Sequence, residues 1–132
     1  MIPDDVRALL DGANFAHLAT LLPDGSPHSV AIWIGREDDR VAFFTTQRSR
    51  KGRNLAHDPR VAISLVDYRN PYRTAWLRGR VVETRGEDGL PVVDAISHKY
   101  TGRPFPYRTV TLYLVEVEKA GSMSLPFEPP PR

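Results

Sequence analysis

The chain has 132 residues, 41% of them hydrophobic and 26% charged, with a formal net charge of +2. This is the composition of one ordinary globular domain over residues 1–132, and the excess of base is too small to mark the whole chain as a nucleic-acid binder. Cysteine is absent, which excludes disulfides, thiol nucleophiles and thiolate metal sites. No apolar run reaches the roughly 18 residues of a membrane span, and the opening M-I-P-D-D has no basic flank of a secretory signal, so the cytoplasm is the expected compartment.

Pro3, Asp4 and Asp5 read as a helix start, with acids favoured by the helix dipole. Val6, Leu9, Leu10 and Ala13 keep helical spacing, and Gly12 marks the end. A short apolar strand, Phe15–Leu22, then meets the turn Pro23-Asp24-Gly25-Ser26. His28–Gly35 returns as its hairpin partner, with Val30, Ile32 and Ile34 on one face and Ser29, Ala31 and Trp33 on the other. After a turn at Glu37–Asp39 comes a third strand, Val41–Thr46, followed by a helix from Ser49 to His57 that Pro59 stops. Val61–Asp67 and Thr74–Thr84 are predicted strands around the polar loop Tyr68–Arg73, with Gly79 marking a bulge or a close approach. Leu90–Tyr100 is predicted helical, Thr101–Tyr107 a Gly/Pro loop, and Thr109–Glu118 the last strand. Residues 126–132 form a Pro-rich tail, expected to be extended or disordered. The predicted fold is mainly β (α+β): six antiparallel strands in a small barrel, with short flanking helices. So small a barrel has little room inside, which puts a ligand pocket on its outer surface or at a subunit interface.

The segment T-T-Q-R-S-R-K-G-R-N-L-A-H-D-P, Thr45 to Pro59, carries most of the functional signal. Amides at a helix N-terminus attract anions, whereas cations there oppose the dipole. Ser49, Arg50 and Lys51 in the first turn therefore point to a phosphate; the competing reading is a solvated basic helix face. The four histidines show no metal-ligand spacing, and no metal is expected. Trp33 and Trp76 suit packing or an interface as well as ring stacking. A nucleic-acid-binding barrel, using Tyr72, Arg73, Trp76, Arg78 and Arg80, is the rival from another class.

Taken in order, F-A-H-L-A-T-L-L-P-D-G-S-P-H-S-V (Phe15–Val30), F-F-T-T (Phe43–Thr46), S-R-K-G-R-N-L-A-H-D-P-R-V-A (Ser49–Ala62), W-L-R-G-R-V (Trp76–Val81) and H-K-Y-T-G-R-P (His98–Pro104) resemble the pyridoxamine 5′-phosphate oxidase-like family of flavin and deazaflavin split β-barrels. The resemblance implies a homodimer with cofactor sites at its interface. It implies that Arg50 and Lys51 bind the cofactor phosphate with Ser49 and Asn54 nearby. It further implies that His28, Ser29, Val30, Ala31, Ile32 and Trp33 border the ring, that Thr45 and Thr46 meet the ribityl-like chain, and that Trp76 and Arg78 come from the partner subunit. The chain is most similar to the short branch that uses coenzyme F420 to reduce a small conjugated acceptor, with an FMN-dependent enzyme as the alternative. A non-catalytic binder of flavin, deazaflavin or haem is a further one. The tail S-M-S-L-P-F-E-P-P-P-R lacks the R-x-H-type ending of the pyridoxamine-phosphate oxidases themselves. Proton sources considered for the reduced product are solvent, His28, Tyr68 and Tyr100, and substrate contacts are expected from the loops Tyr68–Arg73 and Thr101–Tyr107.

Overall fold

The computed structural model describes residues 1–131; the last residue of the expected Pro-rich tail, Arg132, lies outside the described residues. The chain runs α1 (Asp4–Asp11), β1 (Ala16–Leu21), β2 (Pro27–Ile32), β3 (Gly35–Glu37), β4 (Arg40–Thr45), α2 (Arg50–His57), β5 (Arg60–Val66), β6 (Arg73–Arg85), α3 (Leu90–Thr101) and β7 (Thr111–Ser124). The strands form one antiparallel sheet in the order β2-β1-β5-β6-β7-β4-β3. Among the described residues no helix is long and apolar enough to cross a membrane.

Seven strands replace the six predicted, because His28–Gly35 is not one strand. The chain leaves β2 after Ile32 and enters β3 at Gly35, so both edges of the sheet are joined by two residues, Trp33 and Ile34. A flat sheet of this order would hold its edges about 29 Å apart, six spacings of about 4.8 Å. Three Cα–Cα steps reach at most about 11 Å. The sheet must therefore curl until the end of one edge strand lies within that reach of the start of the other, a split barrel that stays open as a hydrogen-bonded sheet and is joined at this corner by the chain.

What breaks the strand at this corner comes from α3. The Ile34 amide donates to the Tyr100 hydroxyl (3.2 Å), and the Lys99 ammonium donates to the carbonyls of Ile34 and Leu10, the latter at 2.7 Å. Tyr100 also donates to the Asn14 carbonyl and stacks on Trp33 at 5.2 Å. Ile34 thus has its backbone groups satisfied by side chains. Burial pushes Lys99 down to about 8 from its ordinary 10.5, with Asp11 pulling the other way. Between about pH 8 and 10.5 the unfolded chain consequently holds more protons at this position than the folded one. Stability contributed by Lys99 should rise with pH across that window and be lowest below it. Guanidinium midpoints of Lys99→Met should lack this rise when compared with the wild type from neutral pH upward.

The barrel interior follows from strand alternation. Val61, Ile63 and Leu65 of β5 point in while Ala62, Ser64 and Val66 point out, and Leu18, Phe43, Leu77 and Val115 complete the same core. Helix α1 adds Val6, Leu9 and Leu10 to it. Strands β4 and β7 are buried on both faces, since α3 lays Val93 and Ile96 over Ala42, Leu112 and Leu114 on the outside. Their runs V-A-F-F and L-Y-L-V are continuous rather than alternating for that reason. The register slips at Gly79, where a Cβ would collide with the Glu116 carbonyl, so the predicted close approach is real. Beyond it β7 keeps pairing with the Arg73–Arg78 part of β6, whose other side holds β5, and this carries β7 to Ser124, past its predicted end at Glu118.

Candidate anion and ring site

Helix α2 starts where β4 ends, and three hydroxyl-bearing residues make the join. Ser49 is the N-cap: its Oγ accepts from the Gly52 amide (3.0 Å) and from Thr45 Oγ1 (3.0 Å), and donates to the Thr46 carbonyl (2.8 Å). Gly52 is buried beneath that turn, and a Cβ there would overlap the Thr46 carbonyl and stand 3.0 Å from Gln47 Cα. The first turn of α2 is thereby clamped onto the end of β4.

On this clamped turn Arg50 and Lys51 are half-buried, and Arg48 and Arg53 are exposed. None of the four forms an ion pair among the described residues, although eight other arginines do. The sequence explains why: no acid occurs between Asp39 and Asp58. Burial pushes the Lys51 ammonium down, and no carboxylate offsets it. An uncompensated, partly desolvated cation is unfavourable in the empty protein and favourable once an anion arrives.

Lys51 opens on a cleft of about 240 Å³ lined by Ala31, Ile32, Trp33, Phe44 and Phe105. Phe44 and Phe105 also wall the next depression, of about 250 Å³, which takes in Thr45, Thr46 and Tyr107. Thr46, Thr109 and Val110 in turn border a wider one of about 1050 Å³ that reaches Arg48, Glu87 and Arg108. The three make a continuous groove running past the start of α2.

Of the residues singled out from sequence, the structure brings together Ala31, Ile32, Trp33, Thr45, Thr46 and Lys51 around this groove, with Ser49 as the cap that shapes it; Arg50 shares the first turn of α2 but lines none of the three sections. Others lie elsewhere. Val30 packs against the barrel core. Asn54 is 1% exposed and donates to Thr20 Oγ1 (3.0 Å), tying α2 to β1. His28 is the register partner of Thr20, and both His28 Nδ1 and Asn54 Oδ1 are buried without a hydrogen-bond partner among the described residues. Ser29, Trp76 and Arg78 share a separate depression of about 280 Å³ with His17 on the outer face of β2-β1-β5-β6. There the rows Ser29–Ala19–Ala62–Arg78 and Ala31–His17–Ser64–Trp76 form a platform of mostly small side chains.

Among the proton sources considered, Tyr100 is occupied behind Trp33, and Tyr68 is exposed beside Phe15. Neither lines the groove, nor does His28; Tyr107 does. The sequence reading missed Phe44 and Phe105 as walls. Alternation across F-F-T-T puts Phe43 inside and Phe44 outside, a signal for Phe44. Phe105 stands in the loop Thr101–Tyr107, from which substrate contacts are expected, but nothing local singles it out within that loop.

Comparison with known proteins agrees with this architecture. The family model for pyridoxamine 5′-phosphate oxidase matches residues 2–112. A pyridoxine/pyridoxamine 5′-phosphate oxidase of Thermosynechococcus vestitus is 43% identical over 63 residues, 47% of this chain and 30% of that protein. One of Paraburkholderia xenovorans is 37% identical over 84 residues, 63% of this chain and 39% of that protein. The aligned part thus amounts to 30–39% of the length of these two curated relatives. Among solved structures, an F420 reductase superposes with a TM-score of 0.80 at 27% identity, covering 91% of this chain and 98% of its own. The protein Rv2991 from Mycobacterium tuberculosis shares the fold, with a TM-score of 0.80 at 23% identity over 100% of this chain and 93% of its own. A match that runs from the first helix into β7, on a sheet curled in the same way as in these structures, makes this chain a member of the pyridoxamine 5′-phosphate oxidase family.

Proposed function

We propose that the protein is a coenzyme F420-dependent oxidoreductase, a homodimer that reduces a small conjugated acceptor. One observation carries the reading: the first turn of α2 presents Lys51 at an aromatic cleft, with Arg50 beside it in the chain, and neither has a counter-ion among the described residues. Those residues fit a planar group with a phosphate tail. Arg50, Lys51 and the free first-turn amides would hold the phosphate, and Ser49 would keep that turn in shape. Ala31, Ile32 and Trp33 would border the ring, and Thr45 and Thr46 the polyol chain. Ser29, Trp76 and Arg78, on the outer platform, would serve a site shared between two copies, and the flat rows of small residues suit such a contact. His28, Val30 and Asn54 would act from behind, by fixing β2 and α2. When bound, a deazaflavin supplies a hydride, whereas FMN supplies electrons singly or in pairs. The chain contributes binding, orientation and an apolar wall, and the open groove admits solvent protons.

Support for the deazaflavin comes from the F420 reductase that matches nearly all of both chains. The second reading, an FMN-dependent enzyme, is favoured by the two curated oxidases, each matched over a smaller part of its length. Titrating the apo-protein separately with oxidised F420 and with FMN, followed by fluorescence, decides between them. Micromolar or tighter F420 binding with much weaker FMN binding is the expected result. The reverse order would make this an FMN protein, and binding to neither would overturn both. Tight binding with no turnover of any acceptor would favour a non-catalytic carrier.

A further inference from the structure

The middle section of the groove has one bank with no regular secondary structure, the segment between α3 and β7, yet that segment is held closely. Asp94, in the second turn of α3, accepts two hydrogen bonds from the Arg108 guanidinium, at 2.8 and 3.0 Å. Asp94 Oδ1 also accepts from the Phe105 amide (3.2 Å), and Arg108 donates to the Phe105 carbonyl (2.7 Å). One ion pair therefore secures both backbone groups of Phe105, between Pro104 and Pro106, which restrict the chain further. Arg108 holds the Asp94 carboxyl below its ordinary range, so the pair stays charged across the neutral region. The Phe105 ring meets Phe44 edge-on at 4.7 Å and Trp33 at 6.3 Å. Tyr107 stands edge-on to Phe105 at 5.6 Å and is 71% exposed.

Aromatic side chains held exposed at a groove rim mark a binding surface, and among the described residues no charged side chain lines this section. We propose that the Asp94–Arg108 pair is the positioning device of the acceptor site, holding Phe105 and Tyr107 as an aromatic bank for a flat, uncharged acceptor. The proposal rests on the cofactor reading above, which seats the ring beside Trp33 and runs the polyol chain along Thr45 and Thr46, so that the second reactant is left the other bank, Phe105 and Tyr107. Asp94 and Arg108 touch neither reactant; they act through Phe105 and Tyr107.

The test compares the wild type with Asp94→Asn, Tyr107→Ala and the exchanged pair Asp94→Arg with Arg108→Asp. Cofactor affinity is measured first, by titration with F420 and FMN. Binding of menadione, a flat uncharged quinone, is then measured by equilibrium dialysis against protein saturated with the oxidised cofactor, and KM and kcat are measured with the same acceptor. Asp94→Asn and Tyr107→Ala should each weaken menadione binding and raise its KM about tenfold. Cofactor affinity should stay within about twofold in Tyr107→Ala, whose side chain lies outside the Lys51 cleft, and should fall clearly less than menadione affinity in Asp94→Asn, because Phe105 also lines that cleft; the exchanged pair should recover part of the loss. Menadione affinity unchanged in both single variants would overturn the proposal. So would a parallel fall of cofactor and menadione affinity, which would mean general disorder of the site, or failure of menadione to bind a wild type that binds cofactor. A wild type that binds no cofactor would instead be the failure of the function proposed above.

Discussion

Lys51→Ala is expected to weaken cofactor binding about 10- to 100-fold while leaving the melting temperature of the empty protein unchanged or slightly higher. The first half follows from charge-assisted hydrogen bonds to an anion, worth about 1.5–3 kcal/mol each. The second follows from the state of the residue before ligand arrives. Lys51 is half-buried against Trp33, Phe44 and Phe105, it has no acid partner among the described residues, and burial pushes its ammonium down. Folding therefore disfavours that charge, and alanine relieves the penalty at a position where helix propensity loses nothing. A structural lysine would behave oppositely, losing stability on truncation. Cofactor titration and thermal melts on one preparation separate the two cases. Unchanged affinity at native stability would remove the phosphate-site assignment. The same logic gives a pH dependence: affinity should fall on the alkaline side as Lys51 loses its proton, at lower pH than an exposed lysine would.

Much of the fold was legible because it depends on alternation. The inward row Val61, Ile63, Leu65 and the outward row Ala62, Ser64, Val66 can be read directly from the chain, as can the Pro59 stop, whereas Ser49, read as part of the first turn, proves to be its cap. The corner at Trp33–Ile34 was not legible. Its apolar alternation continues unbroken from Val30, and the groups that end the strand there, Lys99 and Tyr100, are 65 and 66 residues away. The candidate site divides in the same way. Arg50 and Lys51 were readable because their chemistry is local: a helix start, two cations and no acid within reach along the chain. Asn54, Ser29, Trp76 and Arg78 share the sequence neighbourhood or the strand set, but which face each one joins is decided by the curl of the sheet. The aromatic bank, Phe105 and Tyr107, depends on an ion pair between residues 14 apart, across a loop whose sequence carries no period.

Gly52→Ala should reduce both stability and cofactor affinity, and the pairing of the two losses is what distinguishes it from Lys51→Ala. On helix propensity alone the change is favourable, by about 0.5–1 kcal/mol, because alanine loses less backbone freedom on folding. Sterics oppose it. The new Cβ would overlap the Thr46 carbonyl and stand 3.0 Å from both the Cα and the carbonyl carbon of Gln47, backbone atoms with no rotamer to turn away. Overpacking of this kind costs about 1–3 kcal/mol, so the steric effect wins and the melting temperature should drop by several degrees. Relief requires the first turn of α2 to lift away from the end of β4. That movement strains the Ser49 cap bonds to Gly52 and Thr46 and carries Arg50 and Lys51 with it. Cofactor affinity should then fall at least about tenfold although no contact residue has changed, because groups that recognise a phosphate must be held to within about 0.5 Å. A variant that is more stable than the wild type and binds cofactor equally well would show that the turn is free to move. In that case the geometry of Arg50 and Lys51 would have to be fixed by the ligand on binding rather than by Gly52 beforehand.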